Sequence, residues 1–168
     1  ETFLQPTAEG ETALRERVLA AVKNAKAVAD LFAGCGTFTF PLAEKARVHA
    51  VEWDKPALAA IAAAAKATQG LKPITTEARD LFKLPLSGDE LKPYDAVVLD
   101  PPRAGAHAQA RALAASSVRR IAYVSCNADS FARDARILVE GGYKPGAVTP
   151  VDQFLWSSHI ELAAAFTR

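Results

Sequence analysis

The sequence predicts an α/β fold, a doubly wound and mostly parallel sheet closed by a C-terminal antiparallel hairpin, and three observations predict it. Short apolar runs suited to buried strands alternate along the chain with segments of helical period. Polar residues gather at the C-terminal ends of those runs, the edge at which open α/β sheets take their ligands. A Gly-x-Gly turn follows the first run and opens a helix.

The elements follow in order. Leu14, Val18, Leu19 and Val22 recur at helical spacing and predict a first helix. AVADLF (27–32) is apolar on both faces, as a strand inside a parallel sheet must be. TFTFPLAEKA gives a short helix with Pro41 near its start, and RVHAVE gives the second strand. Asp54 and Pro56 are start signals for an Ala-rich helix that ends near Gly70. ITTEAR is the third strand, YDAVVLD (94–100) the fourth, 106–116 a helix, and RRIAYVSC the fifth strand. Phe131, Ala135, Leu138 and Val139 mark the next helix, which Gly141-Gly142 stops. The tail AVTPVDQFLWSSHIELAAAFT predicts two strands, a closing hairpin.

Composition narrows the function classes. A chain of 168 residues, 50% of them hydrophobic, is the length of one domain and can bury a proper core, so residues 1–168 are expected to form one domain and a monomer. The formal charge of +1 argues against a domain that binds nucleic acid through a dominant basic field. Cys35 and Cys126 are the only cysteines and fit no disulfide framework or metal-ligand spacing, so no metal is expected and a reducing, cytoplasmic setting follows. No run approaches the ~20 apolar residues of a membrane span, so no membrane partner is expected. The chain contains no methionine, not even at position 1, which suggests processing or excision from something larger.

The strand ends carry the chemistry. Asp30, with Gly34 and Gly36 after it, and then Glu52, Asp80, Asp100 and Cys126 each fall at or just past the end of successive strands. Each of the aspartates alone reads equally as a cap or turn residue, and the argument rests on their coincidence at one edge. In DLFAGCGTFTFPLA (30–43) the two glycines let the backbone pass close under a ligand, but Thr39 stands where a dinucleotide fingerprint has its third glycine. Glu52 ends the second strand, where an acid can accept both ribose hydroxyls. A nucleoside without phosphates fits this pattern, and S-adenosyl-L-methionine fits best. Asp80 then suits the adenine amino group, its alternative being a cap for the turn at 81–84, while Cys35 is expected to be a small packing residue. In DPPRAG (100–105) two prolines fix a rigid exit that would frame the methyl acceptor, and Arg103 stands where amino-group methyltransferases often carry an aromatic. Cys126 is either a packing residue or a nucleophile toward carbon 6 of a pyrimidine, which would make carbon 5 carbanion-like. Carbon 5 would then need a base to remove its proton. His159 and Glu161 share a face if SSHIE is a strand, Glu161 being the candidate base, and spacing alone does not separate them.

FLQPT, DLFAGCGTFTFPLA, DPPRAGA, YVSCNADSFARD and VDQFLWSSHIE resemble, in order and across the whole chain, the motifs of the RNA uracil-5-methyltransferases that make 5-methyluridine in tRNA and 23S rRNA. The resemblance implies a Rossmann-like class I methyltransferase fold, with Cys126 as nucleophile and Glu161 as proton acceptor. It implies S-adenosyl-L-methionine contacts from Gln5, Asp30, Phe32, Gly34, Gly36, Thr37, Glu52, Asp80 and Asp100. It also implies an isolated catalytic domain, without the N-terminal RNA-binding barrel, central domain or, in many members, iron–sulfur cluster of the full-length proteins. The RNA partner would accordingly be held weakly. Ala128 replaces the proline that often follows Cys-Asn, and FLWSSHIE departs from the commoner run, which bears on substrate identity more than on chemistry. A methyltransferase without covalent catalysis, or a non-catalytic adenosine-binding module, would need no Cys126. A 5-methylcytosine enzyme would carry a cysteine in the fourth-strand loop, where DPPRAG has none.

Overall fold

The structure, a computed structural model, describes residues 8–152 and 160–168. Helix α1 (Ala8–Ala21) leads into β1 (Ala27–Leu31), α2 (Thr39–Ala43), β2 (Arg47–Glu52), α3 (Lys55–Ala67) and β3 (Ile74–Ala78). The second half runs β4 (Ala96–Leu99), α4 (His107–Ala114), β5 (Arg120–Ser125), α5 (Ala128–Glu140), β6 (Lys144–Pro145), β7 (Thr149–Asp152) and β8 (Ile160–Thr167). The strands form one sheet in the order β3-β2-β1-β4-β5-β8-β6, with β7 also on β8. β1 to β5 pair in parallel, and β8 runs antiparallel to β5. The chain winds outward from β1 to β3, then returns to β4 on the other side of β1, so a topological switch point opens between the C-terminal ends of β1 and β4.

The central strands are apolar because both faces are covered. Every residue of β1 and β4 is buried, whereas edge strand β3 is only partly so. On one face Leu31, Leu99, Tyr123 and Phe166 pack with Ala110 and Leu113 of α4 and Phe131 and Leu138 of α5. On the other, Val28, Val98 and Val124 pack with Leu14 and Val18 of α1 and Leu42 of α2. Each large aliphatic side chain buried this way contributes roughly 1.5–3 kcal/mol.

Two local details differ from expectation. Helix α3 ends at Ala67, short of Gly70, because Thr68 is already extended. On α5 the buried stripe is rotated: Val139 is 43% exposed, while Asp134, a carboxylate, is fully buried beside Phe131 and Leu138. The tail from residue 147 holds the two antiparallel strands expected of it, β7 and β8, and β6, which precedes it, pairs the same edge of β8, with the Gly146 amide between β6 and β7 donating to the Ala165 carbonyl at 2.7 Å. Among the described residues, no helix is long and apolar enough to cross a membrane and no group of three or more His, Cys, Asp or Glu could hold a metal ion.

Candidate functional site

A cleft of about 530 Å³ lies at the switch point, lined by Phe32, Gly34, Glu52, Asp80, Asp100 and their neighbours. Five of the predicted contact residues therefore share one cavity, of a size usual for small-molecule sites. Glu52 is held by backbone amides: Gly34 donates to Oε2 at 2.9 Å, and Trp53 and Asp54 donate to Oε1 at 2.7 and 3.1 Å. Three of about four acceptor positions are thus used, which leaves room for one further donor on Oε2. Gly34 sits at φ +56 with open space where a Cβ would stand, so its amide approaches Glu52 in a conformation costly for other residues.

Phe32, leaving β1, has φ 61, an uncommon conformation for an aromatic residue. Its ring lies 5.5 Å from that of Phe82 and forms an apolar wall with it. Asp80 Oδ1 accepts from the Phe82 amide at 3.0 Å, capping the turn, and the residue also lines the cleft. That turn is pinned by Arg79, which donates to the Leu84 and Pro85 carbonyls at 2.7 and 3.0 Å and to both oxygens of Glu90 at 2.7 and 3.0 Å.

Asp30 is fully buried at the end of β1, beneath the cleft rather than lining it. Thr39 Oγ1 donates to its Oδ2 at 2.6 Å, and its Oδ1 has no hydrogen-bond partner. Burial, opposed by the Thr39 bond and aided by the charge of Glu52, pushes its carboxyl up to about 7. Burial and the charges of Glu161, Asp30 and Glu52 push Asp100 up to about 8. Crowded carboxyls out of water favour a cation, or a shared proton, at this edge.

The second part of the site is assembled by register. β5 and β8 pair Ser125 with Leu162, so the next positions outward are Cys126 and Glu161. Opposed residues of an antiparallel pair project on the same side of the sheet. Cys126 is half-buried, and its thiol is pushed up by burial first and the Glu161 charge second, with Arg103 pulling it down. Its backbone is anchored on the C-terminal side: Ser125 Oγ donates to the Asn127 carbonyl at 2.9 Å, and Asn127 Oδ1 accepts from the Ser130 amide at 2.9 Å as the N-cap of α5. Ala128 then occupies the first helical position, where proline is favoured but not required, so its presence leaves the cap intact.

Not every predicted residue meets the cleft. Gly36 and Thr37 line a neighbouring depression of about 430 Å³ with Cys35 and Phe40. Gly36 is needed for packing there, since at φ +93 a Cβ would stand 2.7 Å from the Phe40 ring and 3.2 Å from Ile61. Cys35 is exposed, with Thr37 Oγ1 3.8 Å from its Sγ, so the packing role expected of it is corrected. Gln5 and His159 lie outside the described residues. Sequence reading missed Trp53, Leu81, Phe82 and Pro101 as cleft walls, although DLF after ITTEAR offered a signal in the aromatic two residues past Asp80. It also missed Asp134.

A model of the family described as tRNA (Uracil-5-)-methyltransferase matches residues 1–168. An uncharacterized RNA methyltransferase of Rhizobium meliloti is 55% identical over 166 residues, which cover 99% of this chain and 40% of the relative. The 23S rRNA (uracil(1939)-C(5))-methyltransferase RlmD of Alteromonas naphthalenivorans is 36% identical over 175 residues, covering 99% of this chain and 36% of that protein. Among solved structures, the Pyrococcus abyssi tRNA (uracil-54, C5)-methyltransferase in complex with S-adenosyl-L-homocysteine superposes with a TM-score of 0.82 at 26% identity, over 99% of this chain and 40% of that one. The chain thus spans about 40% of the length of curated relatives that it matches.

Proposed function

Since the chain belongs to the tRNA (uracil-5-)-methyltransferase family, we propose that residues 1–168 form the catalytic domain of a protein that methylates carbon 5 of a uridine in structured RNA, rRNA or tRNA, through a covalent adduct on Cys126. The observation that supports this reading is the β5–β8 register, in which Cys126 and Glu161 are the next positions beyond the Ser125–Leu162 pair, the Glu161 charge acting on both the Cys126 thiol and the Asp100 carboxyl.

The cleft fits S-adenosyl-L-methionine on the chemistry of its donor set: a carboxylate, Glu52, with one acceptor position left for a hydroxyl, apolar walls for a purine, and acidic groups for a cation. Asp30 Oδ1, buried and unpartnered, is one further acceptor beneath it. Bound there, S-adenosyl-L-methionine would supply an electrophilic methyl group on its sulfonium. Glu52 would accept a ribose hydroxyl, Asp80 the adenine amino group, and Phe32 and Phe82 would exclude water from the ring.

Cys126 begins the reaction. Its thiolate adds to carbon 6 of uracil, a carbon–sulfur bond forms, and the electron pair moves to the 4-oxygen as an enolate that makes carbon 5 nucleophilic. The thiolate forms by loss of the thiol proton to solvent, which burial and the Glu161 charge oppose and the Arg103 charge favours. Once carbon 5 carries the methyl group, the Glu161 carboxylate takes the remaining carbon 5 proton. The electron pair re-forms the 5,6 double bond, and the Cys126 thiolate leaves. With a net charge of +1 the domain alone holds RNA weakly, and recognition depends on the rest of the protein.

Incubation of the full-length protein with uridine-containing RNA and a methyl-labelled donor tests the reading, the labelled nucleoside being identified after digestion. Methyl on carbon 5 of uridine is the expected result; label on cytidine, on an exocyclic amine or on no nucleotide overturns it.

A further inference from the structure

Asp134 of α5 is fully buried and fully engaged. Its Oδ2 accepts from the Tyr123 hydroxyl of β5 at 2.5 Å and from the Ala106 amide at 2.7 Å, at the far end of the DPPRAG loop. Its Oδ1 accepts from Arg133 Nε at 3.0 Å and is ion-paired with Nη2 at 2.9 Å. Arg133 Nη2 also donates to the Ala104 carbonyl at 2.9 Å, so one guanidinium grips both the buried carboxylate and the loop. The loop closes on itself as well, the Gly105 amide donating to the Pro102 carbonyl at 2.8 Å. It is seated so closely that a Cβ on Gly105, already at φ +77, would stand 2.7 Å from Asp134 Oδ2, 2.8 Å from Arg133 Nη2 and 2.9 Å from Ser130 Cβ.

The clamp joins two segments on which the proposed chemistry depends. The loop starts at Asp100, and α5 starts two residues after Cys126. A buried carboxylate is costly unless every lone pair is used, and this one is placed where its bonds span a loop, a strand and a helix rather than stabilising one element. Tyr123 supports the same arrangement: burial first, and its bond to Asp134 second, push its phenol upward, so it remains a donor to the carboxylate.

We propose that the Arg133–Asp134 pair is a positioning device that fixes the substrate-framing loop, residues 100–106, relative to Cys126, so that methyl transfer rather than cofactor binding depends on it. The assignment of a step to Cys126 rests on the function proposed above. The loop-holding itself does not, and the two are measured separately. Misplacing a reacting group by ~1 Å can cost about a hundredfold in rate.

The test compares the full-length protein with Arg133→Met, Arg133→Lys and Gly105→Ala. Arg133 is 44% exposed, so its loss does not open the core. Tyr123→Phe serves as a nearly isosteric fourth variant should Gly105→Ala fail to fold. Amide hydrogen exchange at Ala106 reads the clamp directly, and Arg133→Met is expected to quicken it about tenfold or more. The single-turnover methylation rate is expected to fall about 10–100-fold, with affinity for S-adenosylhomocysteine within about twofold of the wild type. Arg133→Lys, keeping the charge but not the fork, should recover part of the rate. Unchanged exchange at Ala106 overturns the clamp. Faster exchange with an unchanged rate, or a rate that falls only in proportion to cofactor affinity or folded fraction, overturns the positioning role. A wild-type protein that methylates no uridine sinks the functional reading instead, while the exchange measurement still judges the clamp.

Discussion

The two halves of the sheet edge are built differently. In the β1–β3 half, Glu52 and Asp80 are held by their own or the adjacent βα turn: Glu52 by the amides of Gly34, Trp53 and Asp54, and Asp80 by that of Phe82. In the β4–β5–β8 half, nothing local brings the groups together. Cys126 and Glu161 meet because β8 inserts antiparallel beside β5, and the Asp100 loop is tied to α5 by a buried carboxylate 28 residues beyond Ala106. The first half is a surface that short-range turns can make, to which cofactor binding is assigned in the proposed function; the second, to which the reaction is assigned there, is an arrangement that only register and core packing can hold.

Removing either member of the second half should have the largest effect. Cys126→Ala in the full-length protein is expected to abolish methylation and form no adduct, because in the proposed mechanism the thiolate begins the reaction. Glu161→Gln should still allow attack and methyl transfer, then stall with RNA covalently attached, since the carbon 5 proton blocks elimination. A denaturing gel separates the outcomes. Normal turnover by Glu161→Gln, or a slow-migrating protein–RNA species from Cys126→Ala, would show that the second half is not the reaction centre described here.

Asp30 sharpens the contrast from the buried side of the first half. With its carboxyl raised from 3.8 to about 7, the folded state keeps a proton that the unfolded state has released. Stability is therefore lost as pH rises from about 4 to about 7, and the loss is complete above that window. Asp30→Asn, which still offers Thr39 an acceptor, should be more stable than the wild type by a few kcal/mol at pH 8. The difference should narrow steadily toward pH 4. Urea unfolding across that range checks it, and parallel curves for the two proteins would remove the burial argument.

Glu52→Ala tests the binding half without touching the reaction half. Loss of a charge-assisted acceptor should weaken S-adenosylhomocysteine by about 1–3 kcal/mol. Calorimetry with unchanged affinity would take Glu52 out of the site. The smallest effect belongs to Cys35→Ser. Because that thiol is exposed, stability should move by no more than about 0.5 kcal/mol, and a larger shift in the melting curve would restore its packing role.

Strand and helix positions were largely legible because burial on both faces makes β1 and β4 continuous apolar runs, and because Gly141 and Gly142 leave little else to do than end α5. That Glu52, Asp80 and Gly34 share one edge was legible for the same local reason: a strand end followed by a turn donor can be read from the residues themselves. Asp134 was not, since an aspartate in a helical stripe reads as solvated until its partners are known, and Tyr123, Arg133 and the Ala106 amide come from separate elements. For Gly36 the packing requirement was not legible either, since it comes from the Phe40 ring folding back against the turn.

By itself, then, the sequence determined the alternation of elements, the acid at each strand end and the thiol after β5, since these depend on periodicity and on residues a few positions apart. The tertiary structure alone decided that Leu162 pairs with Ser125 and that Asp134 turns inward to hold the 100–106 loop. A one-residue slip of β8 would send Glu161 to the opposite face of the sheet, and such a register is set by packing against β5 and β7, with no signal in the spacing of the chain.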